Sequence, residues 1–182
     1  GQEGADTIDG GLDDDTIDGG LSDDHIIGGA GDDTIEGGEG QDIVEFTGNK
    51  SDFTFAVDPA GTLTVTDTTT MEGTDVISGV ETLRFADGDL TVTTTEQGAV
   101  TLTGTDVDDV ITLAGDVGVT VEGVGGDDVL AGSDGDDVLR GGPGDDVFVT
   151  SVGDDVISVG GDTVPVFEAA FSAAESSRVA AT

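Results

Sequence analysis

An aspartate stands at every ninth position near the amino terminus, at Asp6, Asp15, Asp24, Asp33 and Asp42, and each closes a turn-forming run. The stretch Gly28–Glu36, GGAGDDTIE, shows the unit most clearly. Glycine at its first, second and fourth places opens backbone angles closed to other residues and leaves carbonyl oxygens bare. Asp33, at the sixth place, sets a hard carboxylate beside those carbonyls. Oxygen donors of that kind are what calcium selects.

Such donors can share an ion only if the turns that carry them are stacked, so the residues between turns must build the stack. Thr34, Ile35 and Glu36 can form a very short strand, and Ile35 at the eighth place is the residue of the nine suited to a core. Read in nines, the chain gives GQEGADTID, GGLDDDTID, GGLSDDHII, GGAGDDTIE and GGEGQDIVE. The eighth place is always branched and apolar: Ile8, Ile17, Ile26, Ile35 and Val44. The fourth place departs from glycine at Asp13 and Ser22. Aspartate tolerates unusual backbone angles better than most residues.

Five successive units in phase make residues 1–45 resemble the RTX (repeats-in-toxin) nonapeptides of proteins exported by bacterial type I secretion systems. The resemblance implies a right-handed parallel β-roll with two nonapeptides per turn and calcium held between turns. On that basis ions lie between loops eighteen residues apart. Asp6 is paired with Asp24, Asp15 with Asp33 and Asp24 with Asp42, and carbonyls of Gly10, Gly19, Gly28, Gly29, Gly31 and Gly37 complete the shells. Stacked strands lie about 4.8 Å apart, where two unit charges repel by roughly 3–4 kcal/mol at an effective dielectric near 20. Without a cation the block is expected not to fold.

Composition agrees. The 182 residues carry 41 Asp plus Glu against 4 Lys plus Arg, a formal charge of -37. That acidity excludes nucleic acid and anionic membranes as partners. High charge can mean disorder, but the apolar residues recur in phase with the acids, so the chain reads as disordered alone and ordered once cations neutralise it. It has no cysteine, so disulfides contribute nothing. No run of 18 apolar residues is present to cross a membrane, and there is no amino-terminal signal peptide. The chain begins inside a repeat without Met and reads as part of a longer polypeptide.

The nine-residue period stops after Glu45, and residues 46–102 read as a small antiparallel β insert. Residues 52–57 and 62–66 alternate about the turn Asp58-Pro59-Ala60-Gly61, which marks a hairpin. A second pair is expected from residues 79–85 and 90–92 about Asp87-Gly88. Phe46, Phe53, Phe55 and Phe85 give the insert a core of its own, able to form with less metal. Residues 73–88, GTDVISGVETLRFADG, resemble a segment that interrupts or caps RTX arrays, with a structural spacer favoured over a binding site.

The repeat returns over residues 103–162. It slips by one residue at Leu113, and Val119 stands where an aspartate is expected, so that unit keeps the coil and loses a full metal site. Eighteen-residue spacing pairs Asp128 with Asp146 and Asp137 with Asp155, with Gly126, Gly135, Gly141 and Gly144 as carbonyl donors; Asp109 to Asp128 spans nineteen and fits poorly. The interior line runs Ile111, Val121, Leu130, Leu139, Phe148 and Ile157. The outward seventh places hold Val110, Val129, Val138, Val147 and Val156, where the first block has Thr7, Thr16, His25, Thr34 and Ile43. β-propensity alone accounts for such valines. Cover by a neighbouring domain or a second copy of the chain accounts for them equally.

In the tail, residues 163–182, the alanine-rich run 166–175 places Phe167 and Phe171 on one helical face after Pro165. It reads as a helix or linker and, by resemblance, as part of a carboxyl-terminal secretion signal. No nucleophile, base and orienting group stand together, His25 is expected to be solvated, and zinc lacks its usual ligands, so no enzyme is expected. The GxG runs lack a strand-then-helix context for phosphate.

The expected molecule is therefore all-β: two right-handed parallel β-rolls separated by a small antiparallel insert, holding about five calcium ions by the nonapeptide signature. The expected function is calcium-induced folding of an extracellular or cell-surface bacterial protein. The alternatives are a self-assembling subunit of a surface layer, filament or matrix, and an export module of a larger toxin or hydrolase.

Overall fold

A computed structural model describes residues 3–69, 71–160, 166–167 and 178–181. The first block supplies β1 (Thr7–Leu12), β2 (Thr16–Leu21), β3 (His25–Ala30), β4 (Thr34–Glu39) and β5 (Ile43–Glu45). A single 3-10 turn, Lys50–Asp52, leads into the insert. There follow β6 (Phe53–Val57), β7 (Leu63–Asp67), β8 (Thr74–Ser78), β9 (Thr82–Phe85), β10 (Gly88–Thr94) and β11 (Val100–Thr103). The second block supplies β12 (Val110–Ala114), β13 (Thr120–Glu122), β14 (Val129–Ala131), β15 (Val138–Arg140), β16 (Val147–Val149) and β17 (Val156–Val159). Short strands β18 (Val166–Phe167) and β19 (Arg178–Ala181) complete the described residues.

Successive nonapeptides feed opposite faces, as the resemblance implies. One sheet runs β1-β3-β5-β9-β10-β11-β13-β15-β17-β19 and the other β18-β16-β14-β12-β6-β7-β8-β4-β2. Within each block neighbours are parallel and eighteen residues apart, as in Ile8↔Ile26, Ile17↔Ile35 and Leu130↔Phe148, except that β12 and β14 pair nineteen apart, as in Ile111↔Leu130. The eighth-place residues from both faces meet between the sheets. Ile26, Ile35, Val44, Leu130, Leu139, Phe148 and Ile157 are all buried, and Ile8, on the terminal strand, is partly buried.

Both expected hairpins form, as β6–β7 and β9–β10. The insert, however, does not merely separate two rolls: it continues both of their sheets. Strand β8 stacks parallel on β4, with Ile77 opposite Ile35, and β9 stacks parallel on β5, with Leu83 opposite Val44. At the far side β6 meets β12 and β11 meets β13, again parallel. Each sheet therefore reverses direction twice inside the insert, through β8-β7-β6 and β9-β10-β11. Two reversals restore the original sense, so the second block winds as a continuation of the first. A boundary at residue 46 is visible in the sequence because the period stops there, while the pairing that crosses it is long-range.

The insert core is aromatic, as expected. Phe46, Phe53 and Phe85 form a triangle with each pair of ring centroids 5.1 Å apart, and Phe55 meets Phe85 edge-on at 5.9 Å. Such offset and tilted contacts add to area burial. The one-residue slip at Leu113 is absorbed by β12, which runs on to Ala114 and pairs with Phe55 and Ala56 of β6. Val119 is buried in the place of the missing aspartate, and its N–H donates to Asp137 at 2.8 Å, so the coil persists there. Val166 and Phe167 form a strand rather than the expected helix, beside Val147 and Phe148, because an open parallel edge offers them backbone partners. Pro165 and residues 168–175 of that expectation lie outside the described residues.

Candidate metal centre

Each sixth-place aspartate uses its two oxygens differently. Oδ1 accepts the backbone N–H of the aspartate one turn earlier: Asp24 from Asp6 at 2.7 Å, Asp33 from Asp15 at 2.8 Å, Asp42 from Asp24 at 2.8 Å. The second block repeats this, Asp146 accepting from Asp128 and Asp155 from Asp137, both at 3.1 Å. The expected pairs are all adjacent. The pair set aside on its spacing of nineteen is adjacent as well: Asp109 donates to Asp128 at 2.9 Å, since the extra residue lies in the strand and not in the turn.

The second oxygen faces inward. Oδ2 of Asp24, Asp33, Asp42 and Asp128 is buried and accepts no hydrogen bond from the protein. A buried anionic oxygen left so is costly. Beside it lies the unit's first-place glycine. A Cβ built on Gly10 would fall 2.8 Å from Oδ2 of Asp15 and 2.6 Å from the carbonyl oxygen of Gly28, one turn on. The same construction on Gly19 meets Asp24 and the carbonyl of Gly37, and on Gly123 it meets Asp128 and the carbonyl of Gly141. First-place glycine thus leaves a cradle between turns that any side chain would fill. Carboxylate and carbonyl oxygens line that cradle. Among the described residues no three Asp, Glu, His or Cys side chains converge to hold a metal by themselves. The shell must draw on carbonyls, which suits calcium and not zinc.

The other expected glycines act differently. Gly29 packs against the backbone of Gly11, Gly31 against Asp13 and Gly144 against Gly126, while Gly153 packs against Gly135. These are places where turns stack backbone to backbone. Gly29 has φ +106 and Gly31 φ +136, so both need glycine for conformation as well as for space.

Burial and crowding of these carboxylates weaken their acidity. Burial first, then the neighbouring acids Asp146, Asp109 and Asp108, pushes Asp128 up to about 7. Burial chiefly raises Asp33, Asp42, Asp137 and Asp146 as well. At Asp137 the inner oxygen accepts from Ser133, through N–H at 2.6 Å and Oγ at 3.0 Å, so this site is partly closed by its own turn.

Three features were not anticipated. The fifth-place acids form a second, exposed ladder running the other way: Asp14 accepts from Asp32, Asp127 from Asp145 and Asp136 from Asp154. Asp75 joins the inner ladder from the insert, accepting the Asp33 N–H at 3.0 Å, and burial raises it to about 7. The doublet in each unit and the phase of Asp75 against Ile77 were the signals available for these two. Lys50 is the third. It is fully buried, with Nζ 3.1 Å from Asp109 Oδ1 and 3.3 Å from Asp87 Oδ1. No backbone N–H reaches Asp109 Oδ1, and the buried ammonium balances its charge there as an ion pair. His25 is half-exposed and hydrogen-bonded through Nε2 to Glu45 at 2.8 Å, rather than simply solvated. Val129, Val138 and Val147 are half-buried and Val156 is exposed.

The family model for the RTX calcium-binding nonapeptide repeat (4 copies) matches residues 1–25, 18–46 and 122–157. A search of the curated proteins finds no match. Among solved structures, the extracellular lipase LipA from Serratia marcescens is similar at 18% identity and a TM-score of 0.29, over 87% of this chain. The match spans 29% of the lipase, and at that score it carries no argument. Residues 1–46 and 122–157 carry RTX calcium-binding nonapeptide repeats.

Proposed function

We propose that this chain is a calcium-dependent folding module of a secreted or cell-surface protein. The observation that carries the reading is the row of buried Oδ2 atoms at Asp24, Asp33, Asp42 and Asp128, which accept no hydrogen bond and lie beside first-place glycines. Asp15, Asp24, Asp33, Asp42, Asp128 and Asp146, with carbonyls such as those of Gly28, Gly37 and Gly141, would hold the ions. When bound, calcium supplies positive charge between stacked carboxylates.

The chain's own residues then set the calcium dependence. A net charge of -37 opposes compaction. The amide ladders fix the turns in register but satisfy only one oxygen of Asp24, Asp33, Asp42 and Asp128. Because the sites exist only when turns are stacked, binding free energy is folding free energy. Modules with extracellular affinities of roughly 0.1–1 mM stay unfolded at cytosolic calcium and fold at millimolar calcium outside. That suits export in the unfolded state.

Circular dichroism through a calcium titration tests this. A disordered spectrum in chelator that converts cooperatively to a β spectrum near millimolar calcium is the expected result. The same β spectrum in both conditions would sink the reading.

A further inference from the structure

Outside the family match, whose first part ends at residue 46, the first block is followed by a turn of different construction. In the repeats, Gly37 lies five residues before Asp42. In the insert, Gly79 lies two residues before Glu81, so the loop is three residues shorter and the acid one methylene longer. Both nevertheless occupy the same places in the stack. Glu81 Oε2 accepts the Asp42 N–H at 2.9 Å, as Asp42 Oδ1 accepts that of Asp24 at 2.8 Å. The carbonyl of Asp42 accepts from Thr82 at 3.1 Å, as that of Asp24 accepts from Ile43 at 2.9 Å. The Gly79 carbonyl oxygen and Asp42 Oδ2 converge on the cradle at Gly37, where a Cβ would lie within 3.0 Å of both. Asp42 is 0% exposed, and its Oδ2 accepts no hydrogen bond.

We infer that Asp42, the Gly79 carbonyl and Glu81 form a calcium site joining the first block to the insert. The longer Glu81 side chain offsets the shortened loop and brings a carboxylate to the position that an aspartate holds in the repeats. A hard cation there neutralises two carboxylates and fixes β9 on β5, so calcium order would extend from the repeats into the aromatic insert.

The inference rests on the calcium reading above, and its test separates the two. Calcium alone is titrated into the full chain, with bound ions counted by equilibrium dialysis and order followed by circular dichroism. Glu81→Gln keeps an oxygen to accept the Asp42 N–H but removes the charge. The expected result is a folded chain that binds one ion fewer, with the exposed Glu96→Gln behaving as the unaltered protein. Glu81→Asp keeps the charge without the reach, and is expected to weaken one ion at least tenfold while the others are unchanged. An unaltered count and affinity in both Glu81 variants overturns the site and leaves the repeats standing. Failure of both variants to order in calcium also overturns it, because loss of a single junction ion leaves the repeat sites intact. If the unaltered chain binds no calcium, the functional reading itself falls.

Discussion

Asp67 and Asp128 are both buried carboxylates, one in the insert and one in the second block, and the protein treats them in opposite ways. Asp67 ends β7 and accepts hydrogen bonds from Thr69 N–H and Oγ1, each at 2.6 Å, and from the N–H groups of Met71 and Glu72, each at 2.8 Å. Burial pushes its carboxyl up, but these bonds outweigh burial and hold it below the ordinary value. Asp128 accepts one backbone bond, keeps an inner oxygen without a partner and is pushed up to about 7. Asp67 has its buried charge satisfied by protein, while Asp128 keeps one buried oxygen beside the glycine cradle. A difference appears in the cores too, where a triangle of phenylalanines contrasts with roughly one apolar side chain per nonapeptide.

Removing calcium should separate the regions most widely. In chelator, hydrogen exchange is expected to show complete loss of protection in β2–β4 and β14–β17, if calcium folds the repeats as proposed. Residual protection is expected in the hairpins β6–β7 and β9–β10, which carry the aromatic cluster. Equal loss everywhere would show that the insert has no independent stability and break the comparison.

Lys50 marks where the two strategies meet. Its ammonium neutralises Asp109 at the start of the second ladder, as a built-in cation. Lys50→Met keeps the apolar stem but leaves Asp109 buried and uncompensated, and should destabilise the calcium-loaded chain by about 3–5 kcal/mol in denaturant unfolding. Lys50→Met combined with Asp109→Asn should recover most of that loss. An additive pair would show that the two groups do not interact energetically.

Neutralising the two contrasting carboxylates should have opposite signs. Asp67→Asn replaces an acceptor of four bonds and should cost about 2 kcal/mol with or without calcium. Asp128→Asn should stabilise the metal-free chain, by relieving repulsion from Asp109 and Asp146, and weaken calcium binding. Urea midpoints in chelator and in calcium distinguish these outcomes.

Proton dependence follows the same logic. Asp75 and Asp128 have folded values near 7 against an ordinary 3.8, so the metal-free fold binds protons that the unfolded chain has released. Its stability is greatest below about pH 3.8 and is lost as pH rises toward 7. In chelator, the β signal should therefore grow on acidification from neutral pH. In calcium it should weaken over the same range, because the ligands must be deprotonated. A metal-free chain insensitive to pH would mean that Asp75 and Asp128 are not buried in their separate ladders.

The repeats were legible because each unit states its structure locally: glycine for the cradle, aspartate for the ladder, and Ile8, Ile17, Ile26, Ile35 or Val44 for the core. The hairpins were legible from alternation about Asp58-Pro59 and Asp87-Gly88. What escaped was long-range. Stacking of β8 on β4 joins residues 42 apart, and Glu81 enters the ladder through a loop of different length, so neither keeps a nine-residue period. Lys50 escaped because a lone lysine reads as surface until Asp87 and Asp109 are seen around it. The Asp109–Asp128 pair was misjudged because counting residues cannot show whether an insertion lengthens a strand or a turn.

The smallest effect concerns how strictly the repeats need glycine. Val124, at the second place of its unit, has φ +88, a left-handed angle that crowds a β-branched side chain. Gly29 occupies the equivalent place in the first block with φ +106 and no such strain. Val124→Gly should therefore stabilise the calcium-loaded chain by about 1 kcal/mol, the strain relief exceeding the added entropy of the unfolded chain. Gly142, one turn on, has φ +102, and a Cβ there would press on the Val124 carbonyl. Gly142→Ala should accordingly destabilise by more than Val124→Gly stabilises, since it meets both the angle and the backbone of the adjacent turn. Denaturant midpoints at fixed slope give both values. If Val124→Gly is neutral while Gly142→Ala is costly, close stacking of turns, and not the backbone angle, is what the repeats ask of glycine.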